Sequence, residues 1–332
     1  MKRTQPSNRI RPLLAVFSLF VLLTAACGSD ASAGSDTDEA KVSSTADAAS
    51  TDDAASTDDA ASTDDAATTA TTTDAAPSRI VSLSATSTEI LFAIGAGDQV
   101  VAVDSLSNYP PEAPLLADLS AFEPSLEAIA AQEPDLVVMS YDPGEIVAGL
   151  EALGIPVVLH GTATSLDDAY AQIADLGVET GQVDGAAEVV AQMRADIDEI
   201  VAAMPERDTA LRIYHEVDDT FYSASSNSFT GELYTLLGLE NIADGADVDG
   251  FGYPQLSVEY VIETDPQLII ITDEVGYGVD DVVARPGWEV ISAVQNGNIV
   301  QVDADIASRW GPRLVDYLRV VSDAVAAETV SG

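Results

Sequence analysis

From Ser78 onward the apolar residues arrive in short runs separated by longer stretches of mixed polarity. The runs are RIVSL at 79–83, VVAVD at 100–104, LVVM at 136–139, PVVLH at 156–160, LRIYHEV at 211–217, LIII at 268–271 and NIVQVD at 298–303. Each is too short for a buried helix and rich in β-branched residues, which predicts buried strands. Between them, helices are predicted over the segment SATSTEILFAIGAG, Glu145 to Leu153, Leu166 to Leu176, Thr230 to Leu237, Trp288 to Val294, and Pro312 to about Ala327. In the first of these, Thr86 and Glu89 have capping-box spacing, and Gly95 and Gly97 close it. Strands alternating with helices predict parallel pairing through right-handed crossovers. A further amphipathic pattern, Ala186, Val189, Val190, Met193, Ile197, Ile200, Val201 and Met204, predicts a helix from Val183 to Met204 that Pro205 ends. At 1.5 Å per residue it would be on the order of 33 Å long, enough to run from one lobe to another.

The pattern also repeats. Shifted by 132 residues, Phe122 to Ser140 falls on the stretch ending at Thr272: Ser125 lies over Ser257, Glu127 over Glu259, Pro134 over Pro266 and Leu136 over Leu268. In each copy a Ser opens a short helix, a Pro closes it and an apolar strand follows. An aromatic residue precedes each copy, Phe122 in one and Tyr253 in the other. The predicted fold class is therefore α/β, with two Rossmann-like lobes of parallel sheet joined by one long backbone helix. The expected divisions are an N-terminal lobe over 78–181, a linking helix over 182–206 and a C-terminal lobe over 207–328.

The N-terminal quarter is different. Residues 1–27 have a basic start, an apolar run from Leu13 to Leu23, and small residues before Cys27, the single cysteine of the chain. That run is too short to span a bilayer and has the form of an export signal. A Cys after small residues resembles a lipobox, which implies cleavage before Cys27 and lipidation of its sulfur. Residues 28–77 are Ser, Thr, Ala and Asp with three near copies of STDDAA. Having no apolar face to bury, this stretch is expected to be a disordered acidic tether.

Charge narrows the partners. The chain has a formal net charge of −43, and beyond residue 77 it has 44 acids, eight Arg and no Lys. Nucleic-acid binding needs the cations this surface lacks, and like-charge repulsion favours a monomer. No GxSxG, Walker loop or HExxH occurs, and the region from Ser78 on has no Cys nucleophile, so no enzyme is expected. The two histidines, His160 and His215, fall in different lobes and do not make a metal site together, so each is expected to be structural or at a strand edge.

An exported lipoprotein with two α/β lobes and one long helix resembles the helical-backbone class of ABC-importer solute-binding proteins, which carry cobalamin, ferric siderophores or haem. The resemblance covers Ser78 to Glu328 through RIVSLSATSTEILFAIGAGDQVVAVD, SNYPPEAP, PSLEAIAAQEPDLVV, YPQLSVEYVIETDPQLIII and DADIASRWGPRLVDYL. It implies a cleft between the lobes that captures a metal chelate, a cobalamin-type corrinoid or a ferric siderophore, and delivers it to a membrane permease. It also implies that Phe122, Tyr141, Tyr222 and Tyr253 face the ligand, with Asp305 and Arg309 as a polar pair. Glu127 and Glu259, one per lobe, match the family's two transporter-docking carboxylates. Leu106 stands where the corrinoid-binding pattern has an aromatic, which keeps siderophore open. The expected location is the outer face of the cell membrane, held by the lipid on Cys27. A haem receptor of the same family and a tethered adhesin without a transport role are the alternatives.

Overall fold

The computed structural model describes residues 76–331. The export signal, Cys27 and the tether lie outside the described residues, except for Ala76 and Pro77.

Two parallel sheets form the scaffold. The first contains β1 (Ile80–Leu83), β2 (Val100–Asp104), β3 (Ala117–Leu119), β4 (Leu136–Met139) and β5 (Val157–Leu159), in the order β3-β2-β1-β4-β5. The second contains β6 (Arg212–Glu216), β7 (Glu240–Asn241), β8 (Leu268–Thr272) and β9 (Ile299–Val302), in the order β7-β6-β8-β9. All pairings are parallel. Helices α1 (Ala85–Ala93), α2 (Leu126–Ala130), α3 (Ile146–Ala152) and α4 (Leu166–Glu179) serve the first sheet. The long helix α5 spans Val183–Ala202. Helices α6 (Phe229–Leu236), α7 (Val258–Thr264), α8 (Val279–Val283), α9 (Ser292–Asn296), α10 (Ala304–Ser308) and α11 (Leu314–Ser331) belong to the second lobe.

Strands covered on both faces must be apolar throughout, and β1 and β4 are buried at every position. Successive residues enter different cores, as the two-residue period of a strand requires. Ile80 and Val138 join a large core that continues through Met193 and Ile197 of α5 to Ile213, Tyr317 and Leu318 of the second lobe. Val81, Val137 and Met139 form a separate outer core, and Tyr214, Ile269, Ile271 and Trp288 form its counterpart in the second lobe. The lobes thus share one apolar interior and each has a private one. Gly185 lets α5 lie against the end of α1, since a Cβ there would stand 2.1 Å from the Ile94 carbonyl oxygen.

The sequence repeat is also a structural repeat. Ser125 and Ser257 are both N-caps, their Oγ atoms accepting from Ala128 N at 3.3 Å and Tyr260 N at 3.1 Å. A left-handed residue follows each helix, Glu133 at φ 49° two residues beyond the Ala131 cap of α2 and Asp265 at φ 48° as the cap of α7. An arginine then collects the carbonyls freed at each end: Arg79 Nε donates to Gln132 O at 3.2 Å and Glu133 O at 3.0 Å, and Arg212 Nε donates to Thr264 O at 2.8 Å and Asp265 O at 3.0 Å. These arginines immediately precede Ile80 and Ile213, so the same guanidinium device ties each helix end to the first strand of its lobe.

Several expectations are corrected. The cap of α1 is Ser84, whose Oγ accepts from Ser87 N at 3.2 Å; Thr86 is inside the helix and Glu89 turns toward two arginines instead of the backbone. The helix predicted from Trp288 to Val294 breaks at extended Ile291 into a 3-10 turn, Trp288–Val290, and α9. The last helix begins at Leu314, two residues after Pro312. Strands β3 and β7 and helix α10 had no periodic signal because each is only two to five residues long.

Candidate functional site

Parallel strands open their carboxyl ends onto a common edge, where the following loops gather and ligands of open α/β sheets bind. At that edge of the second sheet lies a cavity of about 530 Å³. His215 of β6, Asp218 beyond it, Thr272 at the end of β8, and Ala304 of α10 beyond β9 contribute to its wall. Tyr253, Phe229 and Trp310 supply aromatic surface, and Thr162, beyond β5, closes it from the first lobe. The volume is within the range of small-molecule sites.

The groups in this wall are held from behind. Trp310 Nε1 donates to Gln172 Oε1 of α4 at 2.7 Å, which fixes the indole across the lobe junction. His215 is buried, with Nδ1 2.6 Å from the Tyr234 hydroxyl, which in turn meets the hydroxyl of Tyr317. Burial lowers the His215 pKa to about 4, so the imidazole is neutral at physiological pH. The Tyr253 phenol is raised by burial of its hydroxyl end, although about half of the residue is exposed, at 49%.

Of the six residues expected to face the ligand, only Tyr253 lines this cavity. Phe122 and Tyr141 follow β3 and β4 in the first lobe, and Tyr222 follows β6 and pairs with Gln255 beside Tyr253. All three are exposed, Phe122 at 71%. They follow strand carboxyl ends in the chain and are not part of the cavity wall.

Asp305 and Arg309 instead join the two lobes. Arg309 Nη1 donates to Glu89 Oε1 at 2.7 Å and Asn108 Oδ1 at 3.0 Å; Nη2 donates to the Leu106 carbonyl at 3.0 Å and to Asp305. Asn108 Nδ2 returns a bond to Asp305 Oδ2 at 2.7 Å. Arg313 donates to buried Glu89 from Nε at 3.0 Å and Nη2 at 2.6 Å, and stacks 4.2 Å from the Tyr109 ring centre. Glu89 of α1 thus pairs with two arginines from the other lobe, and Asp305 supplies the second negative charge of the cluster. Its attraction raises the Arg313 pKa. Beneath it, burial pushes the Asp104 carboxyl up, against hydrogen bonds from Leu106 N and the Ser107 hydroxyl.

Glu127 and Glu259 occupy the second positions of α2 and α7, exposed, with no side-chain ion pair among the described residues. His160 is held by Asp175, with Nε2 to Oδ2 at 2.8 Å. Trp310 was not among the residues expected at the ligand site, and His215 was expected there only as the lesser of two readings, after a structural or strand-edge role. Their placement at strand and helix ends facing one edge was the available signal, but it needs the sheet order to be read.

Known proteins share this arrangement. The model of the periplasmic binding protein family matches residues 80–306. A cobalamin-binding protein of Halobacterium salinarum is 32% identical over 279 residues, covering 79% of this chain and 73% of its own. An uncharacterised ABC transporter substrate-binding lipoprotein of Bacillus subtilis is 28% identical over 261 residues, 76% of this chain and 81% of its own. The apo structure of the periplasmic heme-binding protein RhuT of Roseiflexus superposes with a TM-score of 0.68 at 27% identity, covering 75% of this chain and 98% of that one. With two parallel-sheet lobes, a shared helix and a cavity at the strand ends, the chain belongs to the periplasmic binding protein family.

Proposed function

We propose that this protein is the substrate-binding component of an ABC importer and that it captures a metal chelate, a cobalamin-type corrinoid or a ferric siderophore, between its lobes. The observation that carries this reading is the cavity at the strand ends, to which Tyr253, Phe229 and Trp310 supply aromatic surface, together with the exposed aromatics Phe122, Tyr141 and Tyr222 on loops that follow strand carboxyl ends. Broad aromatic faces suit a large chelate with a flat or propeller-shaped body, and preformed apolar pockets need few polar contacts to orient it. The names of the relatives, which include cobalamin-binding and heme-binding proteins, support the ligand class. In this reading no covalent chemistry occurs.

Asp305 and Arg309 hold the lobes together through Glu89, Leu106 and Asn108. Glu127 and Glu259 present one carboxylate per lobe to cationic residues of the permease, an arrangement suited to steering and register. Cys27 carries the lipid that keeps the protein on the outer face of the membrane.

Titration with cyanocobalamin, a ferric hydroxamate, a ferric catecholate and haemin, followed by tryptophan fluorescence, tests the reading. Trp310 lines the cavity whereas Trp288 is buried in the private core of the second lobe, so a Trp288→Phe variant makes Trp310 the sole reporter. Saturable quenching by one chelate class is expected; indifference to all four would remove the receptor function. Phe122→Ala and Tyr141→Ala should each weaken the responding chelate by roughly tenfold, the value of a lost aromatic contact.

A further inference from the structure

We propose that His215 presents an N–H from its Nε2 to the cavity, as the hydrogen-bond donor that recognises a neutral carbonyl oxygen on the bound chelate. The inference rests on the cavity's being the ligand site.

The proton count in the wall fixes the tautomer. His215 Nδ1, the Tyr234 hydroxyl and the Tyr317 hydroxyl form a chain of three groups joined by two hydrogen bonds. Both tyrosines are fully buried, and the Tyr317 hydroxyl has no partner other than Tyr234 among the described residues. If Tyr317 donates to Tyr234 and Tyr234 donates to Nδ1, both hydroxyl protons are used, and the imidazole proton must be on Nε2. If the chain runs the other way, Nδ1–H donates to Tyr234, Tyr234 donates to Tyr317, and the Tyr317 proton has no acceptor in an apolar interior. An unmade bond of that kind is worth on the order of tenfold or more in population. A doubly protonated ring is excluded because burial keeps the imidazole neutral.

Nε2 makes no hydrogen bond among the described residues, and His215 lines the cavity. With its proton in place, Nε2 has no lone pair to offer a metal and acts as a donor. The surroundings decide what it donates to. Asp218, Asp219 and Glu274 line the same cavity, and no Lys or Arg does. Arg309 and Arg313 are taken by Glu89. A ligand carboxylate would meet three carboxylates without a countercharge, whereas an amide carbonyl accepts from Nε2–H without that repulsion. The site therefore fits an amide-bearing chelate better than an acid-bearing one.

The chain has two histidines, so ¹⁵N-histidine NMR of the ligand-free protein resolves them, with a His160→Gln variant giving the assignment. The expected spectrum has His215 Nε2 protonated and Nδ1 bare, and Tyr234→Phe should shift it to mixed tautomers. A bare Nε2 in the wild type would overturn the proposal. Binding of cyanocobalamin and of a derivative with one side-chain amide hydrolysed to the acid then tests recognition. His215→Phe should weaken cyanocobalamin by about tenfold, His215→Gln, which keeps an N–H donor, should restore most of it, and the acid should bind the wild type more weakly than the amide. Equal affinity of the wild type and His215→Phe overturns the recognition step. A protonated Nε2 in a protein that binds no chelate at all would refute the receptor reading and the recognition step while leaving the tautomer assignment in place.

Discussion

Glu89 shows how much one side chain can decide. It is fully buried, and its two oxygens accept from Arg309 and Arg313 of the opposite lobe. Removing one partner of a buried ionic cluster leaves uncompensated charge, which costs about 3–5 kcal/mol. Glu89→Gln should therefore lower the unfolding free energy measured by urea titration by that amount, while Asp167→Asn, in an exposed pair with Arg194 at 3.3 Å, should change it by less than about 1 kcal/mol. His215 sets a pH limit. Its folded pKa of about 4 is below the value of about 6.5 in an unfolded chain, so the unfolded state takes up the proton first as pH falls. Stability is therefore lost between pH 6.5 and 4, by roughly 3 kcal/mol, and the loss is complete below the folded pKa. Unfolding of His215→Phe measured over the same range should lack that component. Neither role was legible in the sequence. Glu89 was expected at a helix cap three residues from Thr86, because local spacing is visible in a sequence and a partner more than two hundred residues away is not.

At the scale of elements, the long apolar runs and the repeat were legible and the short connections were not. Helix α5 was predicted within two residues because a face of Ala186, Met193, Ile197 and Ile200 must recur at helical spacing to stay buried. Helix α10 and strands β3 and β7 are stabilised by neighbours, not by their own periodicity, and so left no pattern. Gly185 marks where α5 crosses α1. Gly185→Ala would place a Cβ 2.1 Å from the Ile94 carbonyl oxygen, forcing the helices apart. A destabilisation of about 1–3 kcal/mol is expected from that overpacking. Gly161→Ala, where nothing stands within 4 Å of the added Cβ, is the neutral control in the same thermal unfolding measurement.

For the whole molecule, the shared core limits motion. Apolar contacts run without a break from Ile80 through Ile197 to Tyr317, and three further side-chain links cross the junction: Trp310 to Gln172, Glu232 to Leu166 N at 2.9 Å, and the Glu89 cluster. A packed interface of this kind permits small hinge adjustments and opposes wide closure. Small-angle scattering profiles of the free and chelate-loaded protein should therefore superpose within error; a large fall in radius of gyration would contradict a shared rigid core. Docking also belongs at this scale. Exchange of both Glu127 and Glu259 for Ala should abolish uptake in cells while leaving chelate affinity and the unfolding midpoint unchanged, since both carboxylates are exposed in the first turns of short helices. Full uptake by the double variant would exclude the docking role.

The sequence by itself determined the strands that must be buried, the helix whose apolar face joins the lobes, the duplication of a Ser-capped helix and strand, and the motifs that resemble one family. These follow from local rules: periodicity, capping and the need to bury apolar surface. The tertiary structure alone decided which distant residues meet. It set Arg309 and Arg313 on Glu89, and placed Trp310 in the cavity wall with His215, whose Nδ1 it set against a buried tyrosine pair. It also left Phe122, Tyr141 and Tyr222 exposed and outside the cavity wall. Those contacts depend on sheet order and lobe packing, and neither leaves a mark within the few residues over which a sequence pattern is read.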